Sequence, residues 1–186
     1  IKIALSATIK NTINTLNYFS NSKKKKCINP KIIKKISIEI LNSVNLIPWS
    51  GHMATYAIKD IYTYIKSYNS TIIFVNTRAQ AEYVFQNLWK VNKDNLNIAI
   101  HHGSLDRQLR LNIENKMFIG KLNCIVATSS LELGLDWSNV DLVMQIGAPK
   151  GISRIIQRIG RSNHDINKTS KAILIPTNKF EYLECL

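Results

Sequence analysis

From residue 71 onward the chain alternates short, unbroken apolar runs with longer stretches in which apolar residues recur every three or four positions. The runs are TIIFV (71–75), NIAI (97–100), NCIVA (123–127), VDLVMQI (140–146) and KAILI (171–175). None alternates cleanly between apolar and polar, which is the pattern of strands covered on both faces in a parallel sheet. Helical patterns fall around and between them. Residues 52–67 put Ala54, Ala57, Ile58, Ile61 and Ile65 on one stripe, as an amphipathic helix requires. Thr77 with Gln80 three positions on opens segment 78–90 as a capping box. Segment 106–119 aligns Leu109, Ile113 and Met117 and stops at Gly120, an expected C-terminal cap. Strand and helix in alternation predict an open, doubly wound α/β sheet with helices on both faces.

In such sheets ligands bind beyond the carboxyl ends of the strands. The residues that follow the runs are Asn76-Thr77-Arg78, His102-Gly103-Ser104, Thr128-Ser129-Ser130 and Ala148-Pro149-Lys150. They are small, hydroxyl-bearing or basic, which suits an edge that faces phosphate. Helix capping accounts for some of the Ser and Thr.

Composition sharpens this. The chain has 186 residues, 45% of them hydrophobic, enough for a full domain with a real core. Net charge is +13, which favours a polyanion such as nucleic acid as partner. A general richness in Lys, Asn and Ile supplies part of that charge, and the block Lys23–Lys26 reads as a solvated loop. No run of 18 apolar residues predicts a membrane span, and no secretory pattern opens the chain. Cys27, Cys124 and Cys185 are odd in number and lack metal spacing, so a reduced, cytoplasmic setting is expected. His101 and His102 are adjacent on a strand, so their rings point to opposite sides and do not make a metal pair. The first residue is Ile and the chain opens in an apolar run, as expected of a fragment. No glycine precedes Gly51, and a boundary is expected near Asn45–Pro48.

Arginine is scarce, with six against nineteen lysines, yet half of the arginines lie between 154 and 161. At about 100° per residue, Arg154, Arg158 and Arg161 fall within about 60° of one another. Ile152, Ile155, Ile156 and Ile159 fall opposite, and Gln157 borders the arginines. The expectation is an arginine crest over an isoleucine base. Like charges at this spacing repel by a few tenths of a kcal/mol per pair, roughly. Guanidinium forks suit bidentate contact with phosphate oxygens, and Gly160 would let another surface approach closely.

Four segments carry a resemblance. SAT (Ser6-Ala7-Thr8), IIFVNTR (72–78), ATSSLELGLD (127–136) and QRIGR (157–161) resemble motifs three, four, five and six of superfamily-two helicases, in that family's order. AIHHGSLDRQLR (99–110) and SSLELGLDWSNVDLV (129–143) resemble the Lhr-type branch. GAPKGISRIIQRIGRSNH (147–164) and PTNKFEYLEC (176–185) are similar to its ligase-associated DEXH-box members. Many superfamily members carry Gly-Arg after the second arginine of motif six. Here Asn163-His164 stands instead, which puts a second arginine finger in doubt.

The resemblance implies a RecA-like helicase C-terminal motor domain. Residues 1–45 would end a first RecA-like domain, 46–176 would form the second, and 177–186 would begin a further domain. Arg161 would be the arginine finger, with Arg158 as a supporting catalytic residue. Gln157, Gly134 and Asp136 would face the nucleotide. Arg78, His102, Gly103 and Thr128 would contact a nucleic-acid strand, and Ser6 and Thr8 would couple hydrolysis to strand movement. ATP and Mg2+ would be cofactors of the complete protein. Partners would be DNA with a single-stranded tract, the missing first domain, and repair proteins such as a ligase. The sequence contains no Gly-x-x-x-x-Gly-Lys-Ser/Thr and no Asp-Glu-x-His. The phosphate cradle and magnesium ligands are therefore absent, and this chain alone is expected to be inert. Two alternatives stand beside the motor reading: a non-catalytic nucleic-acid-binding remnant of a split gene, and an α/β domain for a small phosphorylated ligand.

Overall fold

The computed structural model of the chain describes residue 3 and residues 11–19, 25–28, 35–131, 140–163 and 168–186. Two units are present, Ile1–Ile33 and Lys34–Leu186. In the first, Asn11 caps helix α1 (Thr12–Phe19), its side-chain oxygen accepting from Asn14 N at 3.0 Å. Ser6 and Thr8 lie outside the described residues.

The second unit is built on one all-parallel sheet. Its strands are β1 (Ile36–Ile40), β2 (Thr71–Phe74), β3 (Ile98–His101), β4 (Cys124–Ala127), β5 (Leu142–Ile146) and β6 (Ser170–Ile175). Their spatial order is β1-β6-β5-β2-β4-β3. The five apolar runs are five of these strands. β2, β4 and β5 are buried along their whole length, as unbroken apolar runs require.

The sixth strand departs from the expected boundaries. β1 comes from ahead of Asn45–Pro48, yet it pairs with β6 from Ile36↔Ser170 to Ile40↔Leu174. ISIEI is a half-exposed edge strand, so its pattern is diluted by Ser and Glu within an Ile- and Lys-rich background. The other end departs too. Helix α6 (Lys179–Cys185) is capped by Asn178 and fastened to the loop before the second helix. Lys179 N donates to Pro48 O at 2.9 Å, and Asn178 Nδ2 and Thr177 Oγ1 donate to Gly51 O at 2.9 and 3.0 Å.

Strand parity sorts the core onto two faces. Ile73, Cys124, Val126, Leu142, Met144 and Ile173 point to one side. There they meet α2 (Ile58–Ser67), which follows a 3-10 turn at Thr55–Ala57, and α3 (Arg78–Val91). The stripe Ala54, Ala57, Ile58, Ile61, Ile65 is buried in this layer, as its spacing predicted. Ile72, Phe74, Ile125, Ala127 and Val143 point to the other side, toward α4 (Arg107–Phe118). α5 (Ile152–Ile159) covers Ala172 and Leu174 on that same side.

The caps act as read. Thr77 Oγ1 accepts from Gln80 N at 3.1 Å, and Gln80 Oε1 reaches back to Asn76 N at 2.9 Å. After α4, Gly120 takes φ +71°, its N–H bonds Met117 O, and Lys121 N bonds Lys116 O. That is the Schellman pattern, and it needs a left-handed residue. The α4 stripe is shorter than expected: Ile113 and Met117 are buried, whereas Leu109 is 46% exposed. Among the described residues no helix is long and apolar enough to cross a membrane.

Candidate nucleotide and nucleic-acid edge

The loops after β2, β3, β4 and β5 lie at the carboxyl edge of the sheet, because all the strands run the same way. They are tied to one another. Asn76, after β2, donates through Nδ2 to Ala148 O, after β5, at 3.1 Å. Gly147 makes this approach possible. Its φ is +83°, and a Cβ there would stand 2.7 Å from Asn76 Nδ2. Thr128 N, after β4, donates to His101 O, at the end of β3, at 3.2 Å.

Arg78 is the first residue of α3 and is exposed. Its Nε pairs with Glu82 Oε1 at 2.9 Å, and His102 Nε2 approaches the same oxygen at 3.5 Å. Expected as a strand contact, the His102 ring is instead 3% exposed. Burial and the nearby Arg78 hold its pKa below the usual imidazole value, against the pull of Glu82. This loop therefore shows Gly103 rather than imidazole to solvent.

The largest departure concerns the arginine crest. Ile155 and Ile159 are buried as expected, but Ile152 and Ile156 are 77% and 42% exposed. The inward face of α5 is rotated from the predicted one, and it takes in Arg158, which is 1% exposed. The guanidinium carbon lies 5.1 Å from the centre of the Phe74 ring, and Nη1 donates to Gln145 Oε1. Phe74 and Gln145 are register partners on neighbouring strands, so Arg158 rests on a matched platform. A buried cation needs such company; a cation–π contact in a dry site contributes roughly 2 kcal/mol. Gln145 Nε2 passes the seam onward to Ile146 O (2.9 Å), Gly147 O (3.1 Å) and Asn76 Oδ1 (3.4 Å). Arg158, expected in the open cleft, thus ties α5 to the loops after β2 and β5. The sequence pattern places Asn76 on this edge but does not name Gln145. A glutamine inside the run VDLVMQI was the available signal, since a polar side chain in a buried strand must find a partner.

Arg161 occupies the turn that ends α5 and is half-buried. Its N–H bonds Arg158 O at 3.0 Å, and Ser162 N bonds Ile159 O at 2.9 Å. Asn163 N then bonds Val140 O at 2.7 Å, and Ser170 Oγ bonds Ser162 O at 2.8 Å. Asn163 has φ +47°, a left-handed conformation that Gly adopts freely and Asn tolerates. Gly160 is exposed with φ −57°, so its own turn does not require glycine. Gln157 is half-buried and Arg154 exposed on the same helix. Gly134, Asp136 and His164 lie outside the described residues.

Residues 56–164 match the model of the helicase conserved C-terminal domain. The ATP-dependent helicase Lhr-Core of Methanothermobacter thermautotrophicus is 32% identical over 99% of this chain, which spans 22% of that protein. Lhr-Core protein 2 of Thermococcus barophilus is 43% identical over 65% of the chain and 14% of its own length. Among solved structures, Mycobacterium smegmatis helicase Lhr bound to ssDNA and AMP-PNP superposes with a TM-score of 0.86 at 27% identity. That superposition covers 97% of this chain and 24% of the other. A RecA-like sheet, a family match over more than half of the chain and Lhr relatives along nearly all of it agree: the chain belongs to the helicase conserved C-terminal domain family, among the Lhr-type helicases.

Proposed function

We propose that the chain is the second motor domain of an ATP-dependent DNA helicase or translocase, supplying an arginine finger and contacts to the nucleic-acid backbone. The observation that carries this reading is the turn at Arg161, fastened to Val140 and Ser170 at the amino ends of β5 and β6, at the end of a helix whose Arg158 reaches Gln145. A guanidinium held by a fixed backbone is ready to meet charge that develops on a phosphoryl group. Arginine fingers in such chemistry contribute on the order of 10³–10⁵ in rate.

The residues present fit half of a nucleotide pocket. Arg161, bordered by Gln157, offers donors to phosphate oxygens, while the sequence holds no P-loop and no acidic Mg2+-binding motif. ATP with Mg2+ would supply the phosphoryl group to be transferred, and a first RecA-like domain would hold the part of it that this chain does not reach. Gly134 and Asp136 beside the nucleotide, and Ser6 and Thr8 in coupling, rest on the motif resemblance alone. So do a DNA-repair setting and a ligase partner.

The strand is held by Arg78, the Gly103 backbone and Thr128, with His102 acting from beneath through Glu82. These are contacts to phosphate and sugar, which position a strand and read little sequence. The M. smegmatis relative was solved with ssDNA, which favours single-stranded DNA as the ligand here. The test is a fluorescence titration of the chain with a labelled single-stranded oligonucleotide at several salt concentrations. A slope of about −2 in log K against log salt is expected from a few neutralised phosphates on a single strand. Binding that ignores salt contradicts the reading.

A further inference from the structure

His101 is a buried imidazole that neither the finger nor the strand contacts use. It closes β3, and its ring joins two other elements. Nε2 lies 2.9 Å from Glu114 Oε1 on α4. Nδ1 lies 2.9 Å from Ser130 Oγ, in the 3-10 turn Ser129–Leu131 that follows β4. Burial holds the ring's pKa below the usual imidazole value, with Glu114 pulling the other way. In the neutral ring the two nitrogens have opposite roles. The Glu114 carboxylate only accepts, so Nε2 carries the proton and donates. Nδ1 is then an acceptor, and the Ser130 hydroxyl donates to it.

The backbone of His101 holds the same turn. Its carbonyl accepts from Thr128 N at 3.2 Å and is approached by Ser130 Oγ at 3.4 Å. Leu131, fully buried against the sheet, fixes the far end of the turn. Between those anchors stand Thr128, half-buried, and Ser129, exposed. Helix capping does not explain this arrangement, since Ser130 bonds a ring on a different strand.

We infer that His101 is a positioning residue for the strand-contacting turn, holding Thr128 in place through Ser130 while Glu114 fixes the ring. This rests on the reading of Thr128 as a contact to the nucleic-acid strand. Loss of the ring–hydroxyl bond leaves the fold intact and lets the turn wander. The contact is then made from a broader set of positions and weakens.

The experiment measures affinity for a labelled single-stranded DNA with the 186-residue chain, using changes at Ser130 that spare the buried ring. Ser130→Ala is expected to weaken binding about fivefold, the size of one hydrogen bond, without loss of cooperative melting. Ser130→Thr keeps a hydroxyl and is expected to restore binding to within about twofold. In a Thr128→Ala background, Ser130→Ala is expected to add nothing, because its effect passes through Thr128. Nitrogen-15 spectra of the imidazole are expected to show the proton on Nε2. Ser130→Ala binding like wild type, or adding its full effect to Thr128→Ala, overturns this inference alone. Wild-type chain with no salt-sensitive binding overturns the strand-contact reading and this inference with it.

Discussion

The two faces of the sheet are packed from different material. On the α2/α3 face the core is continuous and apolar, with Ile61, Ile65, Val84 and Leu88 fully buried against Ile73, Val126 and Met144. On the α4/α5 face the apolar core falls into two clusters. The Arg158–Phe74–Gln145 seam runs on that face, with Phe74 in the larger cluster and Arg158 on the helix of the smaller. The first face gains most of its stability from area, with Gln80 of α3 and Tyr62 of α2 adding polar ties at its margins. The second spends buried surface on a cation whose hydrogen bonds fix where α5 sits. The turn bearing Arg161 begins where that helix ends. The difference teaches that the apolar face is scaffold, and that the polar seam fixes where α5 sits and, with it, the turn proposed as the finger.

That contrast can be broken from either side. The larger loss of stability is expected on the apolar face. Ile65→Ala, at a fully buried position, should destabilise by about 4 kcal/mol through lost burial and a cavity. Nucleic-acid affinity per folded molecule should hold. Denaturant unfolding and a binding titration on the same samples check both statements. A smaller loss is expected on the seam. Arg158→Met keeps most of the volume but leaves Gln145 Oε1 without its guanidinium donor, a cost of about 2 kcal/mol. Here function should fall further than stability, because α5 loses the bonds that aim Arg161. If Arg158→Met keeps full nucleic-acid-stimulated ATPase in the assembled motor, the seam is only packing.

The sequence made the layers legible but not the seam. Unbroken runs such as NCIVA name a buried parallel strand because nothing polar interrupts them. The stripe from Ala54 to Ile65 names its helix because apolar spacing and buried face coincide. The edge strand ISIEI escapes the apolar pattern because an edge is half-exposed and its signal fades. The arginine helix misled for a different reason. Helical angles set Arg154 and Arg158 side by side, but they do not say which way the helix is turned on its sheet, and Arg161 lies in the turn beyond the helix. The rotation is set by tertiary partners, Phe74 and Gln145, which lie on strands 71–74 and 142–146. His101 was legible only as one of two adjacent histidines, since Glu114 and Ser130 reach it from elements distant in the chain.

The most direct measurement is nucleic-acid-stimulated ATPase of the chain supplied with the first RecA-like domain, wild type against Arg161→Ala. A fall of about a thousandfold is expected, with melting and strand affinity close to wild type. Equal rates in the two proteins would contradict it, because the fastened turn would then present an arginine that no phosphoryl group meets.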